Sequence, residues 1–165
     1  QTPSANRNES VRLEHGQMRL TSLADYAVVV MSAAARAEYG APLSAGMVAE
    51  QTGVPLPTVQ KLMGRLAQSG LLASARGTGG GFVLAREPEK ISLADIVEAV
   101  DGPIAMTACV DEGRHDCGLE TACRVRAHWP GVNGAIRGAL AGVTLESLAH
   151  GATPPGGAIP QGAIL

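Results

Sequence analysis

Aromatic residues are nearly missing from this sequence. Phe82 is the only phenylalanine, Trp129 the only tryptophan, and aromatics make up 2% of the 165 residues. A core with so few rings must be aliphatic, and with Ala, Leu and Val abundant it is expected to be helix-rich. No run approaches the roughly 18 apolar residues of a membrane span, and the first residues lack the apolar centre of a signal peptide. The expectation is a soluble cytoplasmic protein with no membrane partner. Cysteine is scarce, and the odd count of three suits a reducing compartment and a metal or redox site better than a disulfide framework. The length allows one domain and an appendage, not two full domains.

Acidic residues are absent from Val54 to Arg86, a segment that holds Lys61, Arg65, Arg76 and Arg86. From Glu87 to Glu120 the balance inverts, with nine acids against Lys90 and Arg114. The formal net charge of -2 therefore averages a basic surface with an acidic module, and it does not exclude a nucleic-acid partner.

Residues 1–17 are polar and aperiodic and are expected to form a disordered leader, with the ordered chain starting at Met18. Thr21 or Ser22 can cap a helix with Asp25 in its first turn, and Leu23, Ala27, Val30, Met31 and Ala34 give it one apolar stripe as far as about Glu38. Ser44 caps a short helix, Ala45 to Gln51, that ends at Gly53. Thr58 to Gln68 then buries Val59, Leu62, Met63 and Leu66 and leaves Thr58, Gln60, Lys61 and Arg65 on another face. Two strand-like runs, Leu71 to Ala75 and Phe82 to Ala85, flank a glycine-rich turn. Helix, turn, helix and hairpin together predict a mainly α winged helix-turn-helix domain with a small β wing over 18–100. A further helix runs from Ser92 to Val100, where Asp101-Gly102-Pro103 breaks it. A cysteine loop and a long helix, Arg124 to Val143, kinked or restarted at Pro130, fill 101–149. The Gly- and Pro-rich residues 150–165 are expected to be a disordered tail.

Thr58, Gln60, Lys61 and Arg65 offer base-edge donors and phosphate contacts of the kind a recognition helix needs in the major groove, although a solvated amphipathic face has the same composition. The hairpin tip favours the first reading. Arg76 precedes a run, opened by Gly77, in which four of five residues are glycine, so a guanidinium is presented without side-chain bulk behind it, as a narrow minor groove requires. A nucleotide-binding loop is disfavoured, because this turn leads into a strand rather than a helix.

The spacing Cys109-x7-Cys117-x5-Cys123 puts three thiols within one sixteen-residue loop, Ala108 to Cys123. Zinc loops favour two-residue gaps and usually a fourth Cys or His, whereas an iron-sulfur cluster tolerates wider spacing. From spacing alone, cluster, zinc and three unrelated cysteines all stay open. His115 and His128 are nearby donors. Nothing resembles an enzyme's constellation, since there is no nucleophile-base pairing and no phosphate loop.

Met18-Arg19-Leu20-Thr21-Ser22, Ala24-Asp25-Tyr26-Ala27, the wing Arg76-Gly77-x-Gly79-Gly80-Gly81-Phe82, Ala99-Val100-Asp101-Gly102 and the three cysteines resemble the winged-helix iron-sulfur regulators of the isc and suf operons. The likeness spans about Met18 to Ala149. Leu23 to Val30 and Leu93 to Thr107 look most like the SUF-system assembly regulators. The resemblance implies a homodimer joined by the helix after the cysteine loop and bound to a palindromic double-stranded DNA operator of cluster-biogenesis genes. It also implies Arg76 as minor-groove reader, Thr58, Gln60 and Lys61 as recognition-helix positions, and Cys109, Cys117 and Cys123 as ligands of a 2Fe-2S or 4Fe-4S cluster. The first cysteine gap is two residues longer than in isc regulators, and Arg126 stands where their histidine ligand would be. A guanidinium stays protonated and has no lone pair to give. Asp25 of the partner subunit is then the candidate fourth ligand, at the position where some nitric-oxide-sensing relatives use a carboxylate, with His128 as the weaker alternative; an acid that only complements the dipole of the helix start would occupy the same place. A zinc- or thiol-based regulator responding to redox state or nitric oxide is the competing function.

Overall fold

The computed structural model describes residues 19–38, 40–75, 80–110 and 123–151. The expected leader, residues 152–165 of the expected tail, the wing residues Arg76 and Gly77, and Cys117 lie outside the described residues. The chain forms α1 (Ser22–Arg36), α2 (Ala45–Thr52), α3 (Leu56–Gln68), β1 (Leu72–Ala75), β2 (Gly81–Leu84), α4 (Leu93–Asp101), α5 (Trp129–Ala141) and α6 (Leu145–His150), with short 3-10 turns at Pro88–Lys90 and Arg126–His128. This is the expected mainly α winged helix with a two-stranded antiparallel hairpin.

Local chemistry sets most of the boundaries. The Thr21 hydroxyl accepts from the Ala24 N–H at 3.0 Å, and the Ser44 hydroxyl accepts from Met47 at 3.2 Å, each satisfying an N–H that the helix start leaves unpaired. Ser92 and Asp95 form a reciprocal capping box at the head of α4. Gly53 closes α2 in the left-handed region, at φ 73°, which permits the tight turn into α3.

Proline accounts for two departures from the expected boundaries. α3 starts at Leu56, two residues before the expected Thr58, because Pro57 sits in the first turn, where its missing N–H has no helical partner to lose. Pro130 likewise lies in the first turn of α5, where the expected restart falls: a 3-10 turn is followed by a helix that begins at Trp129 rather than Arg124. α1 ends at Arg36, two residues before the expected Glu38.

The core is aliphatic, as the composition requires. Ala24, Ala27, Val30 and Met31 of α1 pack with Val59, Leu62, Met63 and Leu66 of α3, and with Ile96, Val97 and Val100 of α4. α6 is an element absent from the sequence reading. Residues 143–145 run beside 91–93, with Leu93 N–H donating to the Val143 carbonyl and Leu145 N–H to that of Ile91, both at 2.8 Å. Leu145 thereby enters the core fully buried, so segments on either side of residue 100 share one core.

The hairpin pairs Leu72 with Leu84 and Ala75 with Gly81. Phe82 also exchanges backbone hydrogen bonds with Leu43, at 2.8 and 2.9 Å, tying the wing to the segment before α2. This contact requires glycine at 81, because a Cβ there would lie 2.4 Å from the Leu43 carbonyl oxygen.

Candidate nucleic-acid interface and cysteine centre

α3 turns its apolar side inward and leaves Pro57, Gln60, Lys61 and Gln68 exposed, with Thr58 half-buried. Gln60 and Lys61 are thus available side by side, an amide able to donate and accept and an ammonium able only to donate. Leu56 is 43% exposed and lies one turn before Gln60 on the same face. Its apolar side chain suits a thymine methyl in a major groove. Sequence reasoning missed Leu56 because it began the helix at Thr58; the signal was Pro57, which favours the first turn of a helix.

Arg65 behaves differently from its expected place on the free face. It is half-buried, and its Nη1 donates to the Val100 carbonyl at 2.6 Å. That carbonyl belongs to the last turn of α4, which carries the negative end of the helix dipole and carbonyls without a helical partner. Arg65 therefore fastens α3 to α4. The same end of α4 is tied to α1 by Thr21, whose hydroxyl donates to the Asp101 carboxylate at 2.8 Å.

Of the three cysteines, Cys109 and Cys123 are described; both are half-buried and neither is in a disulfide. They stand at the two ends of the segment that includes Cys117. The Thr107 hydroxyl and the Cys109 sulfur are 3.1 Å apart, in hydrogen-bond contact. Two unpaired, partly accessible thiols with a hydroxyl beside one of them form a soft donor set that fits an iron-sulfur cluster. Asp25 and His128 are both exposed, the first in the opening turn of α1 and the second just before α5. Among the described residues, no three metal-ligating side chains converge within the chain.

The approach to Cys109 is held by polar contacts that sequence reasoning missed. Asn133 of α5 donates to the Ile104 carbonyl at 2.8 Å and accepts from the Met106 N–H at 3.0 Å. Glu98 of α4 accepts from the Ile104 N–H at 3.4 Å and from Arg137 Nε and Nη2 of α5, both at 2.9 Å. The bidentate bond from Arg137 holds the Glu98 carboxyl below its ordinary range, against a smaller opposing effect of burial.

A helix-turn-helix with an exposed polar reading face, a hairpin beside it and a cysteine segment beyond it define a winged-helix DNA-binding protein. Comparison with known proteins makes this specific: residues 20–151 match the Rrf2 family, described as iron-dependent transcriptional regulators. The chain belongs to that family and is a transcriptional regulator rather than an enzyme. It is 34% identical to the HTH-type transcriptional regulator IscR of Photorhabdus laumondii over 133 residues, 81% of this chain and 80% of that protein. It is 32% identical to IscR of Escherichia coli O1:K1 over 81% of each chain. Among solved structures it is similar to CymR, the global cysteine regulator of B. subtilis, with a TM-score of 0.63 and 27% identity over 83% of this chain and 100% of that one. T. potens IscR gives a TM-score of 0.62 and 26% identity over 82% and 89%. No helix among the described residues is long and apolar enough to cross a membrane.

Proposed function

We propose that this chain is a cytoplasmic, homodimeric regulator of iron-sulfur cluster biogenesis genes whose operator binding is set by an iron-sulfur cluster on Cys109, Cys117 and Cys123. The observation that carries the reading is the pairing of two surfaces in one small fold. One is the exposed Gln60 and Lys61 face of α3, and the other is the pair of unpaired thiols, Cys109 and Cys123, that bracket the third cysteine. The cluster, when bound, supplies a redox- and ligand-sensitive group whose loss changes the charge and geometry of the segment that holds it. Thr58, Gln60 and Lys61 enter the major groove, joined by Leu56, while Arg76 and Gly77 of the wing reach the minor groove. Residues 18–100 act as the reading module and 101–149 as the sensing and dimerising module. The SUF-type placement rests on the Leu23 to Val30 and Leu93 to Thr107 segments.

α5 supports the homodimer, since none of its residues is buried within the chain. The fourth ligand comes from Asp25 of the partner subunit, consistent with an Asp25 residue that is exposed in the opening turn of α1. A carboxylate is a weaker iron donor than a thiolate, so such a site would lose its cluster readily, as a sensor needs.

The test is anaerobic reconstitution followed by visible absorbance, iron and sulfide analysis, and gel shifts on duplexes selected by the protein from a random pool. A coloured protein whose DNA affinity changes on cluster loss is expected. A colourless zinc protein, or identical binding with and without cluster, overturns the reading. Asp25→Ala and His128→Ala reconstituted side by side identify the fourth ligand by which variant loses its cluster faster in air.

A further inference from the structure

Arg65 was expected to meet DNA phosphate, and the structure gives its guanidinium a partner inside the protein. Its Nη1 is committed to the Val100 carbonyl across 35 residues of sequence. Val100 lies near the end of α4, a nine-residue helix, and Glu98 lies two residues earlier on the same helix. Glu98 receives the Ile104 N–H on one carboxylate oxygen and is clamped by both Nε and Nη2 of Arg137 from α5. Ile104 opens the strap that leads to Cys109, and Asn133 holds this strap at both the Ile104 carbonyl and the Met106 N–H. Thr107, the next residue, touches the Cys109 sulfur. Every step from cysteine to reading helix is a hydrogen bond of 2.6–3.4 Å or a single stretch of backbone.

We propose that Arg65 is a positioning residue of the DNA-reading helix, coupling α3 through the end of α4 and the Glu98–Arg137 clamp to the strap that carries Cys109. The proposal rests on the reading of the cysteine segment as the sensing site, and it names the route by which that site sets the pose of α3. A helix as short as α4 moves as a unit, so a displacement of the strap at Ile104 reaches Val100 with little loss. Arg65 is suited to transmit it because a charged donor on a helix-end carbonyl combines a hydrogen bond with attraction to the negative end of the α4 dipole. Two other contacts to α4 do not replace this one: the Thr21–Asp101 bond fixes α1 and not α3, and the apolar packing of Leu66 in the shared core has no direction.

Full-length wild type, Arg65→Met, Arg137→Met and the double variant are prepared with and without cluster and titrated with duplexes selected from a random pool by the wild-type protein. Each single variant should reduce the cluster-dependent ratio of affinities by about two- to thirtyfold, within the range of mutations along a coupling route. The double variant should lose no more than the larger single loss, because both interrupt one path. A second readout needs no cluster: amide exchange of the apo protein should speed up in α3 when Arg137 is replaced. Arg65→Lys keeps a donor towards Val100 and should retain much of the wild-type ratio, which separates loss of the bond from failure to fold. Additive losses in the double variant, or a wild-type ratio and unaltered α3 exchange in Arg137→Met, overturn the route while leaving the sensing function intact. Equal DNA affinity of cluster-loaded and cluster-free wild type overturns both.

Discussion

The two helices central to the functional reading, α3 and α5, are equal in length at 13 residues and are held in opposite ways. α3 buries Val59, Leu62, Met63 and Leu66 in the core. α5 has no fully buried residue, half-buries Ile136 and Leu140 and exposes Val132, while three glycines, Gly131, Gly134 and Gly138, lower its intrinsic helicity. The directional contacts of α5 are polar: Asn133 on the Ile104–Met106 strap and Arg137 on Glu98. A reading helix must present one fixed face, and apolar packing on the opposite face provides that rigidity. A helix next to a sensing segment needs contacts that can be exchanged, and directional hydrogen bonds at a half-exposed surface provide those.

The largest test of this contrast is Leu62→Ala against Val132→Asp. Leu62 is fully buried, so its truncation should cost about 2–5 kcal/mol of unfolding free energy in urea titrations. Val132→Asp should leave helix content by circular dichroism unchanged and instead weaken self-association, read by sedimentation. Equal unfolding by both would erase the distinction between the helices.

A smaller effect is expected at the wing. Gly81→Ala forces a methyl against the Leu43 carbonyl and should cost about 1–3 kcal/mol, since neither backbone can yield without moving its partner strand. Calorimetry on the purified variant measures it, and a stability within error of wild type would mean that the Leu43–Phe82 bridge does not hold the wing in solution.

On the DNA side, Lys61→Ala should weaken binding almost uniformly across sequences and reduce the salt slope of affinity by about one per copy. Gln60→Ala should instead change which base pair is preferred at one position of each half-site. The two outcomes exchanged would mean that the face of α3 is rotated relative to the groove.

The smallest effect concerns pH. Because Arg137 holds the folded Glu98 pKa below its unfolded value of 4.5, the contribution of this pair is complete above that value. It fades as pH falls through the lower folded pKa. The difference in melting temperature between wild type and Glu98→Gln should therefore be constant near neutrality and shrink on acidification below about 4.5. A difference that grows with acid would show that the clamp is not what sets Glu98.

Much of the fold was legible in the sequence, and the reason is the range of the forces involved. Thr21, Ser44 and Ser92 cap helices through bonds to residues three positions away. The apolar stripe of α3 repeats within one turn, and the hairpin follows from a glycine-rich run between strand formers. Such patterns are complete within a few residues, so reading along the chain recovers them and, with them, the winged helix and the exposed polar face of α3. The early start of α3 at Leu56 and the late start of α5 at Trp129 belong to the same class, because proline in a first turn is a local signal.

What only the tertiary structure decided is which surface groups are spoken for. Arg65 and Gln60 read alike in sequence, as polar residues off the apolar stripe. One is anchored to Val100 and the other faces solvent, because α4 ends beside one and not the other. The partners of Arg65, Arg137 and Thr21 lie 35, 39 and 80 residues away, and Leu145 returns to a core built by α1 to α4. Neither propensity nor periodicity extends over such separations. These pairings exist because packing the aliphatic faces of α1, α3 and α4 fixes where their ends and polar edges meet.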